Sequence, residues 1–224
     1  MKTVHVIAIL LAVVIAAFVW LRPDKDQPPV SGIQGLPWQI EIAADGNSRV
    51  LGLELGRSVL DDARVRFGDG MKIGIVAAQG ESGALEAYYD SVTAGVILGK
   101  VILVADLEPA TLERLRERNI GRDHMNDMTF RYVLDPDDLP IALHAPITAI
   151  TFIPAADLDA ETVLKRFGTP QERLRVNDHV EHFLYPDRGL DLLLDAKGKE
   201  VLQYVAPREF TRLREPLLQG ATPS

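Results

Sequence analysis

Residues 159–170 read Asp159-Ala160-Glu161-Thr162-Val163-Leu164-Lys165-Arg166-Phe167-Gly168-Thr169-Pro170. Asp159 has the chemistry of a helix N-cap, Val163 and Phe167 fall on one helical face, and Gly168 supplies a C-terminal stop. Pro170 then prevents continuation. The terminal triplet recurs: Arg66-Phe67-Gly68 stands one hundred positions before Arg166-Phe167-Gly168. The earlier copy also ends an amphipathic stretch, with Ser58 as the predicted N-cap and Asp61 and Asp62 suited to the helix N-terminus. Val59, Ala63 and Phe67 repeat at a spacing of four.

The segments after the two helices match in order. Residues 71–77 and 173–176 read as short strands, and residues 85–89 and 180–185 as second strands ending in Tyr89 and Tyr185. Residues 94–98 match 190–194, and 101–105 match 201–205, with turns at Gly99-Lys100 and Ala196-Lys197-Gly198-Lys199. This pattern predicts an α+β fold of two tandem units, each a helix packed on an antiparallel sheet, over residues 38–107 and 147–215. Residues 108–146 form the bridge. Within it, a helix is expected from Pro109 to about Arg118, strands at 130–134 and 147–153 flank the turn Asp135-Pro136-Asp137-Asp138, and residues 216–224 are a tail.

The layout of residues 159–205 is helix, Phe167-Gly168-Thr169-Pro170, a polar strand, Phe183-Leu184-Tyr185-Pro186, then Leu190 to Asp195, a Lys197-Gly198-Lys199 turn and Val201. It resembles the helix-then-antiparallel-sheet module shared by β-lactamase inhibitor protein and the small lipoproteins of outer-membrane protein assembly. The resemblance covers 159–205 well and 58–105 loosely. It implies a periplasmic or secreted protein-binding module, sometimes in tandem, with no catalytic residues.

Outside these units, every residue from Val6 to Leu21 is apolar. Residues 3–21 would reach roughly 28 Å as a helix, close to the thickness of a bilayer core, with Trp20 suited to the headgroup boundary. The expectation is an N-terminal transmembrane helix over residues 1–21, making the membrane a partner and placing the chain as a single-pass protein of a bacterial inner membrane with its body in the periplasm. The alternative is a signal cleaved near Ala16 or Ala17, giving a secreted or periplasmic protein. Pro23, Pro28, Pro29 and Pro37 with Gly32 and Gly35 predict a semi-rigid linker over 22–37.

Composition restricts the chemistry. The chain has 24 Lys plus Arg against 32 Asp plus Glu, a formal charge of −8, and no cysteine. The acidic balance argues against nucleic acid as a partner, since phosphates require clustered cations. The missing cysteines exclude disulfides, thiolate catalysis, Cys-ligated zinc and iron–sulfur clusters, and are compatible with an oxidising compartment. Asp178-His179-Val180-Glu181-His182 has metal-like content, but in a strand the odd spacing puts His179 and His182 on opposite faces. Residues 95–101 superficially resemble a phosphate-binding loop, yet lack Ser or Thr after Lys100 and lie in a β-rich run. Ser82 lacks the nucleophile-elbow frame, and the acids at 135–138 lack the Glu of a calcium loop. His124 and His144 have no nearby partners in sequence. No catalytic residue, cofactor or metal site is therefore assigned.

Strand alternation suggests a binding face instead. If Leu85, Ala87 and Tyr89 point inward, Glu86 and Tyr88 point outward. Aligning Tyr185 with Tyr89 puts Phe183 inward and His182 and Leu184 outward. Tyr88, Leu184, Glu86 and His182 are thus the candidate protein-binding residues, because aromatic and amphipathic side chains favour interfaces. The leading expectation is a membrane-anchored extracytoplasmic protein-interaction module in envelope assembly or regulation, with a protein partner. A hydrolase with dispersed Asp, Glu and His, or a small-ligand or metal sensor using the His179–His182 segment, are the alternatives.

Overall fold

The computed structural model describes residues 33–125 and 128–220. A small antiparallel sheet comes first, from β1 (Glu41–Ile42), β2 (Ser48–Val50) and β3 (Leu53–Glu54). Helix α1 (Leu60–Phe67) leads into β4 (Lys72–Ala78), β5 (Ala84–Ala94) and β6 (Ile97–Ala105). Helix α2 (Pro109–Glu117), β7 (Gly121–His124), β8 (Thr129–Val133) and α3 (Leu139–Leu143) follow. Then come β9 (Ile147–Pro154), α4 (Ala160–Phe167), β10 (Glu172–Arg175), β11 (Val180–Tyr185), β12 (Leu190–Asp195), β13 (Val201–Val205) and α5 (Thr211–Gly220).

The two expected tandem units do not each have a sheet of their own. Strands β4 to β13 make one ten-stranded sheet in the order β10-β11-β12-β13-β9-β6-β5-β4-β8-β7, antiparallel at every pairing. The physical reason is β9. It has two open edges, and β6 and β13 fill one each, so that Val101 and Leu202 both pair with Phe152. Leaving either edge bare would expose a row of unpaired backbone groups. The bridging residues join the same sheet through β8, which pairs with β4.

The expected transmembrane helix at 3–21 lies outside the described residues. Among the described residues, no helix is long and apolar enough to cross a membrane. The fold is a sheet-rich α+β body, and the single-pass membrane reading is withdrawn.

One buried cluster runs along the inner face of the sheet. Leu60 and Ala63 of α1, Leu112 and Leu115 of α2, and Val163 and Phe167 of α4 pack there against Tyr89, Leu103, Phe152, Tyr185 and Tyr204. Asp159 caps α4 as expected, its Oδ1 accepting from the Thr162 amide at 2.7 Å. At α1 the cap differs. Ser58 is consumed by the preceding turn, where its hydroxyl accepts from the Glu54 amide at 3.1 Å, and Asp62 instead accepts from the Val59 amide at 2.8 Å.

Residues 94–98 are not a strand matching β12. They hold the β5–β6 hairpin turn, so β5 runs on through Ala94 and the first half has one strand fewer than the second. Gly95 has φ +63, and a Cβ there would come within 2.6 Å of the Leu36 side chain. A left-handed backbone and this close approach both require glycine. Leu36 also shows that the end of the expected linker is packed on the body: it is buried, and Tyr204 donates a hydrogen bond to the Pro37 carbonyl at 2.9 Å.

Candidate functional site

Strand register places the four candidate residues on one face of the sheet, the outer one. Tyr88 pairs with Ile102, Ile102 with Thr151, Thr151 with Gln203, Gln203 with Asp191, and Asp191 with Leu184. Tyr88 and Leu184 therefore lie in one transverse row. Five strand spacings separate them, about 24 Å at the usual distance between strands. The pair cannot form one compact contact patch.

The two ends of that row have different fates. Leu184 is 0% exposed, packed with Val205 and Phe210 and flanked by Leu213 and Leu217 of α5. His182 is 5% exposed and its Nδ1 lies 2.8 and 3.0 Å from the two carboxylate oxygens of Asp191, itself 1% exposed. The expected outward positions of Leu184 and His182 are thus correct in parity and wrong in accessibility. The residues 211–220 form a helix whose apolar side roofs this half of the outer face. Sequence alternation along β11 could not show that roof, because it comes from a segment more than twenty residues downstream.

Among the described residues, no such helix cluster covers the outer face over β4, β5 and β6. Glu86 and Tyr88 are half-buried, as are Val76, Ile102 and Val104. In register, Gly74, Glu86, Val104 and Ala149 form one transverse row beside the Tyr88 row. Tyr88 donates a 2.6 Å hydrogen bond to Asp90, which also pairs with Lys100 at 3.1 Å. The bond to Asp90 pushes the Tyr88 hydroxyl above its ordinary pKa. Glu86 differs: among the described residues no hydrogen bond or ion pair meets its carboxylate, and burial raises its pKa. A lone carboxylate among Val104, Ile102 and Tyr88 is a site where an incoming cation would find both charge and apolar surface. Against α5 the strip ends in a cleft of about 210 Å³ bounded by Val104, Thr151, Gln203, Arg212 and Leu213.

The His179–His182 segment does not converge. The side chains lie on opposite faces, and His179 Nδ1 is 2.7 Å from Asp195 while His182 turns to Asp191. Among the described residues, no group of three or more His, Asp or Glu side chains is arranged to hold a metal ion. The residues 95–101 are the β5–β6 hairpin, His124 stacks edge-on with Phe130, and His144 Nδ1 lies 2.7 Å from the Pro140 carbonyl.

A second feature was not foreseen. A cavity of about 500 Å³ opens where the 157–160 loop meets the β10–β11 and β12–β13 turns. It is lined by Asp157, Asp159, Asp178, Glu181, Asp195 and Glu200, with His179 and Arg175. These acids are scattered over more than forty positions, and only the pairing of β11 with β12 and the fold of α4 over them brings them together. The signal available in the sequence was an acid in every one of those turns, although Lys197 and Lys199 balance the acids of the last. No protein-family model matches the chain, and no curated protein or solved structure matches it either.

Proposed function

We propose that this chain is a non-catalytic protein-interaction module of an extracytoplasmic compartment, and that it binds its partner on the bare half of the outer sheet face. The observation that carries the reading is the uneven cover of that face. Helix α5 protects Leu184 and Val205 and reaches the edge of Val104, whereas among the described residues no comparable helix cluster covers Val76, Glu86, Tyr88 and Ile102. The half-buried carboxylate of Glu86 specifies the partner's chemistry: a lysine or arginine set among apolar side chains, which would supply the missing counter-charge while covering Ile102 and Val104. The cysteine-free composition and the layout of residues 159–205 support the compartment.

Photocrosslinking tests this reading. A benzophenone side chain at position 88 or 102 of the full chain should join one partner, and the adduct should disappear on Glu86→Lys. The same label at Val65, exposed on α1 at 82%, should not capture that partner. Equal capture from both positions, or none from 88 and 102, would reject the proposal.

A further inference from the structure

The acidic cavity on the other side of the sheet makes a separate demand for a ligand. Glu181 and Leu194 pair across β11 and β12 and share the inner face with Phe183, opposite to Leu184 and Tyr88. Most carboxylates of the cavity are already engaged. Asp157 meets Lys199 at 2.5 Å, and Glu181 takes both arms of Arg173 at 2.9 and 3.0 Å. Asp159 caps α4, and Asp195 accepts from His179 and from the Lys197 amide, which holds its pKa below the usual range through the amide first and the imidazole second.

Two acids have no partner of this kind. Asp178 is exposed and makes no side-chain hydrogen bond or ion pair among the described residues. Glu200 is only 6% exposed, lines the cavity, and its Oε2 is buried with no hydrogen-bond partner. A buried carboxylate oxygen left unpaired is costly, and proteins tolerate such a group where something else completes it. The single guanidinium in the lining, Arg175, is outnumbered by the acids. Leu158, Val180 and Leu194 supply an apolar wall beside them. The volume is within the range of small-molecule sites and is far larger than a single metal ion needs.

We infer that this cavity is a binding site for an aliphatic cation, in which an ammonium or guanidinium head meets Glu200 and Asp178 and its methylene stem lies on Leu158, Val180 and Leu194. Two sources carry this chemistry: a lysine or arginine side chain on another protein, and a free aliphatic diamine. Charge-assisted hydrogen bonds to Glu200 would satisfy its orphan oxygen, and the His179 ring, with Nδ1 held by Asp195, leaves Nε2 as a further acceptor when neutral. The inference is independent of the sheet-face reading, because it uses the opposite face and none of the same residues.

Titration calorimetry on the full chain tests it with 1,5-diaminopentane, a peptide bearing one lysine, and the same peptide with norleucine in place of that lysine. Both cationic probes should saturate the protein and the norleucine peptide should not. Tighter binding of the lysine peptide assigns the site to a protein side chain, and tighter binding of the diamine assigns it to the free amine. Glu200→Gln should weaken binding by about tenfold or more, and Asp178→Asn, on an exposed turn, by about threefold. If Glu200→Gln does not fold, the Asp178→Asn loss and cation-dependent shifts of the His179 ring resonances carry the test. Absence of saturation below about 10 mM, equal binding of the norleucine peptide, or wild-type affinity in the folded variants would overturn the inference.

Discussion

The Tyr185 hydroxyl donates a 2.9 Å hydrogen bond to the carbonyl of Gly168, the residue that ends helix α4. Tyr89 makes the same bond to Gly68, at the end of α1, at 3.2 Å. Each tyrosine ring also meets the phenylalanine before its glycine, Phe67 with Tyr89 at 5.5 Å and Phe167 with Tyr185 at 6.3 Å between centroids. The repeated Arg-Phe-Gly triplet therefore has a physical meaning. In each half it fixes a helix C-terminus to a strand of the common sheet, with a phenylalanine in the contact and a carbonyl left for the tyrosine to satisfy.

Removing either hydroxyl should have a small, matched effect. Tyr89→Phe and Tyr185→Phe each keep the ring and lose one hydrogen bond, so each should cost about 1 kcal/mol in denaturant unfolding. Gly168→Ala should cost about 1–3 kcal/mol, because Gly168 sits at φ +80, where a Cβ is strained. A neutral outcome at both tyrosines would mean that these bonds are exchanged for equivalent ones to water.

The same tyrosines set the alkaline limit of stability. Burial pushes Tyr89 up to about 12, raises Tyr185, and raises the wholly buried Tyr204 well above the ordinary value of 10.0. The neutral phenol is the form favoured by folding, so this contribution is complete below about pH 10, where the unfolded tyrosines titrate. It is lost as pH rises through 10 and on through about 12 for Tyr89. Tyrosinate absorbance should therefore rise late and together with unfolding. Tyr204→Phe should delay the loss of structure, and an early, complete titration of the folded chain would contradict this.

Leu184 and Tyr88, alike in a reading of strand alternation, should behave oppositely. Leu184→Ala empties a fully buried site between Val205 and Phe210 and should cost about 2–5 kcal/mol. Tyr88→Ala on the bare half should change stability by less than about 1 kcal/mol. Thermal melts of the two single variants decide it, and a large loss at Tyr88 would mean that this side chain is part of the core.

The His182–Asp191 pair should be intolerant of single changes. Asp191→Ala leaves a buried imidazole without its 2.8 Å partner and should cost about 1–3 kcal/mol. Replacing both by well-packed apolar residues should restore most of that loss. Asp191→Ala, His182→Ala and their combination form a double-mutant cycle in urea, and additive losses would show that the pair is not coupled.

Local chemistry was legible in the sequence wherever a few adjacent residues decide it. The Asp159 cap, the Phe167-Gly168 stop and the inward side of Tyr89 and Tyr185 all follow from spacing and side-chain type. The inward and outward parity of residues 182–185 was legible too. What escaped depends on distant residues. That β9 accepts β6 and β13 on its two edges, merging two expected units into one sheet, is a choice among strand partners that alternation does not encode. The hairpin turn expected at Gly99-Lys100 falls at Gly95-Val96, and the contact of Gly95, Leu36, lies in a segment expected to be linker. The roof over Leu184 comes from residues 210–217, and the acids at 157, 178, 195 and 200 meet only through the fold of α4 on β11 and β12.

The central claim is that a partner covers Tyr88, Ile102 and Val104 and neutralises Glu86. The most direct measurement is the affinity of the full chain for the partner identified by crosslinking, compared among wild type, Ile102→Ala, Glu86→Gln and Leu98→Ala, the last being exposed outside the patch. Ile102→Ala and Glu86→Gln should each weaken binding by about tenfold at unchanged melting temperature, whereas Leu98→Ala binds as wild type does. Unchanged affinity in both patch variants would contradict the account.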